Sequence, residues 1–187
     1  AGLSWLLALG SKQIAATLPV LLLGVEGFFF YPSFGEAFRR RKKLFVAVLW
    51  VFVIAALLYL GTQPVDRILR GYEHRDFTLP QRVMTQFRVV AFYLTLLVFP
   101  HPSRLNLDHH FPVSTSLVSP PSTLISLLVL VSLAGAAVVL ARRRRRLVAF
   151  CIGWFFLHLV IESSVIPLEL VFEHRLYLPS VGVVMGI

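Results

Sequence analysis

The sequence predicts an all-α protein, a polytopic bundle of transmembrane helices, and three observations carry this prediction. Residues 44–60 and 124–141 are uncharged stretches of seventeen and eighteen residues. A helix needs roughly 20 mostly apolar residues to cross a bilayer core about 30 Å thick. Each stretch borders five consecutive basic residues, Arg39 to Lys43 or Arg142 to Arg146. Charged residues make up only 14% of the chain, against about 25% in soluble domains.

The net charge of +9 is concentrated at these two blocks, which hold ten of the eighteen Lys and Arg residues. Because the blocks border apolar stretches, they indicate cytoplasmic anchors facing anionic lipid rather than a nucleic-acid-binding surface. The single cysteine, Cys151, excludes an intrachain disulfide.

Residues 1–10 resemble the tail of a helix, and residues 14–31 form the first complete predicted span, with Pro19 inside it. Glu26 lies near the inner end of this span. It either pairs with the adjacent basic block or lines a polar path. Residues 32–43 are then a cytoplasmic loop, and residues 44–60 cross outward.

Residues 61–80 contain Gly61, Pro64, Gly71 and Pro80 and indicate an external loop. Residues 81–99 are ambiguous, because polar residues interrupt their first half. If they cross the membrane, Arg142 to Arg146 lie outside; if they lie in the interface or re-enter, these arginines lie inside, as the positive-inside bias favours. We adopt the second topology, which makes residues 61–123 one external excursion with an interface helix.

In this topology residues 124–141 cross inward and residues 147–161 cross outward. Residues 162–179 then emerge outside, and residues 180–187 resemble the start of another helix. The sequence therefore predicts that residues 1–187 are a partial transmembrane domain of a longer multi-pass protein, with four or five spans.

Three polar clusters are predicted to meet on the external face. The most specific contains Glu173, His174, Arg175 and Tyr177. Arg175 offers a planar fork suited to phosphate, Tyr177 a hydroxyl or a ring, and Glu173 an acceptor for sugar hydroxyls. The alternative is an aromatic and charged interface belt.

The second cluster contains Asp108, His109 and His110, and the first contains Ser11, Lys12 and Gln13. Asp and His are common metal ligands, but three consecutive residues rarely bind one ion, so they are weak candidates for a divalent metal. Asp108 is also a candidate acceptor for a sugar hydroxyl or a general base, with a solvated turn as the alternative.

These clusters lie in runs that resemble motifs of one family. Residues 9–19 resemble its Ser-Lys-Glu and Thr-Leu-Pro signature, with Gln13 in place of Glu. Residues 104–112 resemble its external Asp motif, with His109 and His110 replacing an aromatic or acidic pair. Residues 173–182 resemble its Glu-Arg-x-Leu-Tyr-Leu-Pro-Ser-x-Gly signature. The family is that of the polytopic O-mannosyltransferases with tetratricopeptide repeats and their bacterial relatives.

The resemblance implies a membrane glycosyltransferase of the GT-C type. Such an enzyme transfers a sugar from a polyprenyl-phosphate donor to a protein or other acceptor on the external or lumenal face of a bacterial inner membrane or an ER-type membrane. Its catalytic carboxylate is expected in a loop upstream of residue 1. We expect Arg175, then Lys12, at the outer lipid boundary to contact the donor phosphate, and Glu173, Tyr177, Asp108 and His174 to orient sugar or acceptor.

Two other functions stay open at this point. A transporter needs a charged or broken helix at mid-membrane depth, for which Glu26, Pro19 and His158 are the candidates. A non-catalytic scaffold or assembly subunit needs only the spans and a partner surface.

Overall fold

The computed structural model describes residues 2–32, 34–61, 63–105, 109 and 111–186, and the regular structure within them is helical, without a β-strand. The all-α prediction is thus confirmed for these residues. The α-helices are α1 (Gly2–Ser11), α2 (Leu18–Val25), α3 (Phe34–Leu60), α4 (Pro64–Arg70), α5 (Leu79–Val98), α6 (Ser122–Arg142), α7 (Arg146–Leu159) and α8 (Tyr177–Gly186).

The first predicted span is one rod of three helical types. A 3-10 helix (Gln13–Thr17) leads into α2, which continues as a π-helical turn (Glu26–Phe30). Pro19 lies in the first turn of α2 rather than in the middle of a helix. At that position the N–H that proline lacks has no helical partner anyway, so the rod continues without a break.

The first basic block is helical, which differs from the predicted loop at residues 32–43. Helix α3 begins at Phe34, and Arg41 departs from helical geometry at φ −105°, ψ 16°. Arginine and lysine are good helix formers, and Glu36 pairs with Arg40 one turn later at 3.4 Å. Residues 34–40 therefore form a short helical arm, and Arg41, within the basic block, joins it to the rest of α3.

Both basic blocks lie at one end of the molecule, here called the basic end. Arg41 Nε donates to Glu26 Oε1 at 2.7 Å. Arg146 Nη1 donates to the carbonyl of Tyr31 at 2.7 Å, and its Nη2 donates to that of Pro32. The pairing of Glu26 with the basic block, one of the two interpretations of this acid, is confirmed.

Helices α5, α6, α7 and α8 enclose the apolar core. Val89, Tyr93, Leu130, Phe155 and Leu159 are each less than 9% exposed there. Helix α8 packs closely on α7, because a Cβ on Gly182 would lie 2.8 Å from the carbonyl oxygen of Cys151. Trp154 Nε1 donates to the carbonyl of Leu178 at 2.7 Å and fixes the same contact.

Helix α5 and the chain that follows it form a hairpin. The beginning of α5 contacts the segment after α7, through Arg82 and the carbonyl of Glu162 at 2.9 Å. The returning chain then passes back along α5, where Ser114 N donates to Thr85 Oγ1 at 2.8 Å and Ser114 Oγ bonds Thr123 Oγ1 at 2.9 Å. Both ends of this hairpin thus lie opposite the basic end, at what we call the distal end.

Within the described residues, one helix, α6, is both long and apolar enough to cross a membrane. Only 6% of its most apolar 18 residues are buried. Its 21 residues span about 31 Å. Two further apolar helices, Ile14–Phe30 and Arg146–Leu159, are shorter than 18 residues.

Candidate functional site

Arg175 lies at the distal end with its side chain only 4% exposed. Its Nε lies 3.0 Å from Glu162 Oε2, off the direction of a hydrogen bond, and its Nη1 donates to the carbonyl of Glu169 at 2.9 Å. The guanidinium also lies 5.1 Å from the ring centre of Phe172. Arg175 is therefore held by protein groups, which differs from the open guanidinium expected from the sequence.

Arg75 lies near Arg175, since both contact Glu169, and it is the more accessible of the two, with 29% of its side chain exposed. It pairs with the carboxylate of Glu169, and its Nη2 donates to the carbonyl of Pro167 at 3.2 Å. Arg75, Tyr72, Asp76 and Gln81 border a groove of about 450 Å³. Glu169 thus joins the two arginines: its carboxylate binds Arg75 and its carbonyl binds Arg175.

Arg82, a neighbour of Arg75 and Arg175, is fully buried. Its guanidinium donates to three carbonyl oxygens: that of Ser164 at 3.0 Å, that of Glu162 at 2.9 Å and that of Leu168. A buried carbonyl without a donor costs free energy, so one arginine here satisfies three such groups. Burial is the main reason that its pKa falls to about 10, which leaves it charged at neutral pH.

The irregular chain at residues 160–172 is here called the connecting segment. Further side chains donate hydrogen bonds to its backbone carbonyls. Gln86 Nε2 donates to the carbonyl of Leu170 at 3.1 Å. The Tyr93 hydroxyl donates to the carbonyl of Phe172 at 3.0 Å and accepts from its N–H at 2.8 Å. The Tyr72 hydroxyl donates to the carbonyl of Val165 at 2.6 Å, and burial raises the pKa of this tyrosine.

These side chains were not singled out as a site from the sequence, although a signal was present. Arg82, Gln86 and Tyr93 recur at spacings of four and seven residues, which places them on one face of α5. That face also carries Val89, which is fully buried. Arg82, Gln86 and Tyr93 thus face the connecting segment, not water.

The second and third sequence clusters meet at one contact. His109 Nε2 lies 2.9 Å from Glu173 Oε1, although the two residues are 64 positions apart. The His109 ring also packs edge-on against Phe92, with ring centres 5.5 Å apart. The side chains are 11% and 30% exposed, so this pair lies at the surface of the core.

Tyr177, His174 and Lys12, which were also expected at the site, are exposed. Tyr177 is 79% exposed at the start of α8, and His174 is exposed with its ring 5.1 Å from that of Phe172. Lys12 is exposed between α1 and the 3-10 helix. No contact that the structure gives brings Lys12 to Arg175.

Asp108 and His110 lie outside the described residues, so the proposed Asp-His-His triplet has no described geometry. Among the described residues, no three His, Cys, Asp or Glu side chains gather at one point. His109 and Glu173 contact each other at the distal end.

His158 does not pair with Glu162 in the part of the chain that the structure describes. Its side chain is buried, and both ring nitrogens lack a hydrogen-bond partner there. The ring instead packs edge-on against Trp154, with centres 4.6 Å apart.

No protein-family model, no curated protein and no solved structure matches this chain.

Proposed function

We propose that the chain is part of a multi-pass membrane domain with its basic end in the cytoplasm. The support is that both basic blocks contact one short region, through Glu26 and Tyr31, while α3 and α6 expose apolar side chains between the two ends. Basic residues favour the cytoplasmic side of membrane helices. The distal end then faces outward or into a lumen.

We further propose that the distal end is the donor-binding half of a glycosyltransferase that uses a polyprenyl-phosphate sugar. The observation that carries this proposal is the contact of His109 with Glu173 at 2.9 Å. It joins two separate runs that resemble motifs of the same transferase family. Two unrelated surface residues, 64 positions apart in sequence, would not be expected to contact each other.

The chemistry needs a cation beside the leaving phosphate. As the acceptor oxygen bonds to the anomeric carbon, its hydroxyl proton passes to a carboxylate base. The bond from that carbon to the phosphate oxygen breaks, and the phosphate leaves with the electron pair, so that negative charge grows on it. Arg175 meets this need if the donor phosphate replaces the carboxylate of Glu162, its partner at 3.0 Å. Arg75 then supports the same charge from the groove edge, and Glu173 and His109 contact the sugar or acceptor.

The proposed exchange predicts opposite effects for the two partners of the ion pair. In the full-length protein, Glu162→Gln should lower the KM for the lipid donor, because the amide competes less well for Arg175. Arg175→Lys should reduce kcat/KM by about a hundredfold, because lysine lacks the planar fork. The assay is transfer of radiolabelled sugar from a polyprenyl-phosphate donor, with monodispersity in detergent as the folding control.

A scaffold or assembly role is the second candidate, and the burial of Arg175 favours it. At 4% exposure this side chain already has protein partners. If both substitutions lower stability but leave sugar transfer unchanged, the cluster is structural and donor binding by Arg175 is refuted. Absence of sugar transfer by the unaltered protein would refute the transferase proposal itself.

A further inference from the structure

An apolar groove lies at the basic end, away from the proposed transfer site. It has a volume of about 620 Å³ and is lined by small residues of three helical segments: Gly27, Ala137, Ala141, Ala149 and Gly153. Pockets of about 300–1,000 Å³ commonly hold small molecules. Small side chains on facing helices leave space between α6, α7 and the π-helical turn.

Three arginines border this groove: Arg142, Arg144 and Arg146. Arg146 is engaged by the carbonyls of residues 28, 31 and 32 and forms part of the wall. Arg142 and Arg144 are exposed, and the ion pairs of the described residues include neither. Arg144 also adopts φ 61°, an uncommon conformation for a residue other than glycine.

In the described part of the chain, no ion pair joins an acid of this end to the second basic block. Glu26 pairs with Arg41, and Glu36 pairs with Arg40. The second block therefore presents uncompensated positive charge at the edge of an apolar groove. That combination matches an amphiphile with an anionic head and a hydrocarbon tail.

The geometry points to a binding site for one anionic phospholipid, with its phosphate on Arg142 and Arg144 and an acyl chain between α6 and α7. Basic pockets between membrane helices on the cytoplasmic side are suited to such headgroups. This inference rests on the proposed membrane embedding but is independent of sugar transfer. A lipid held here would join the two helices at their cytoplasmic ends.

The charge requirement is tested with the full-length protein in neutral detergent, by native mass spectrometry with phosphatidylglycerol and, for comparison, phosphatidylcholine with the same chains. The double variant Arg142→Gln/Arg144→Gln should bind phosphatidylglycerol roughly thirtyfold more weakly, since each arginine near a membrane surface contributes about 1 kcal/mol. The matched control Arg143→Gln/Arg145→Gln removes equal charge from residues that do not line the groove. It should retain binding within about threefold.

The need for an open groove is tested with a second pair of variants, one inside the groove and one outside it. A Cβ on Gly153 or on Gly135 meets nothing within 4 Å, but only Gly153 lines the groove. Gly153→Leu should therefore block the lipid, and Gly135→Leu should not. Excess glycerol phosphate, which has no acyl chain, should not compete.

Three results would overturn the inference. Equal losses in the two arginine pairs would indicate unspecific attraction to a basic surface. Unchanged binding by Gly153→Leu would exclude the groove, and competition by glycerol phosphate would indicate a site for free phosphate. Loss of sugar transfer with lipid binding intact would affect only the proposed transferase function.

Discussion

At the residue scale, the distal end depends on guanidinium groups that bind backbone carbonyls. Arg82 and Arg175 are both nearly inaccessible to solvent, at 0% and 5% exposure. Burial of an arginine is costly unless its donors find partners. Arg82 meets three carbonyls, and Arg175 meets a carboxylate and a carbonyl.

Replacement of Arg82 by alanine should destabilise the protein strongly. The change leaves three partly buried carbonyls without donors and a cavity beside the connecting segment. A loss of about 3 kcal/mol is expected, or a Tm lower by about 10 °C for a chain of this size. The measurement is thermal unfolding in detergent, and Arg70→Ala is the control because Arg70 is exposed. Equal Tm values for the two variants would contradict this role.

The contact of His109 with Glu173 should appear as a coupling between two distant sequence runs. His109→Ala, Glu173→Gln and the double variant form a thermodynamic cycle. We expect a coupling of about 0.5–1 kcal/mol, since contacting polar residues are non-additive and this pair is partly exposed. Denaturant unfolding of the four proteins measures it. Additive effects would show that the two runs do not meet in solution.

At the element scale, the connecting segment has no regular structure of its own and is held by its neighbours. Helix α5 supplies Arg82, Gln86 and Tyr93, and the region after α4 supplies Tyr72 and Arg75. Irregular backbone beside a membrane is tolerated where protein groups satisfy it. Gly71 permits the close approach, because a Cβ there would clash with the ring of Pro167.

Helix α8 should detach from α7 when Gly182 gains a side chain. The alanine methyl of Gly182→Ala would lie 2.8 Å from the Cys151 carbonyl, and overpacking of this kind costs about 1–3 kcal/mol. Gly135→Ala adds the same group in open space and should be neutral or slightly stabilising. Protease sensitivity of α8 and thermal unfolding measure the difference. A resistant, fully stable Gly182→Ala variant would show that this packing is unimportant.

At the scale of the whole molecule, charge is separated between two ends. The basic end carries Arg39 to Lys43 and Arg142 to Arg146. At the distal end Arg75 pairs with Glu169, Arg175 with Glu162 and His109 with Glu173. Such an imbalance sets the orientation of membrane helices. The proposed topology follows from it.

Accessibility labelling tests this orientation directly. Cys151 is the single cysteine, so a Cys151→Ala background accepts one new cysteine at a time. Cysteines at positions 40 and 143 should react from the cytoplasmic side, and cysteines at 74 and 174 from the other. All four positions are exposed or partly exposed. Reaction of positions 40 and 143 from opposite sides would exclude the proposed topology.

The sequence by itself determined the all-α class, the apolar stretch that became α6, and the basic blocks. These features depend on local composition, because a run of residues 124–141 is apolar whatever its neighbours are. It also indicated the pairing of Glu26, since the opposite charge was close along the chain. The boundary at Phe34 was missed because charged residues were interpreted as a loop although they also favour helix.

Only the tertiary structure decided which polar side chains face water. Two of the three carbonyls that Arg82 binds belong to residues more than 80 positions away in sequence. His109 and Glu173 are 64 positions apart. Burial of Arg175 likewise depends on the position of Glu162. Pattern along the chain reports the face on which a residue lies, but its partner is set by packing between segments distant in sequence.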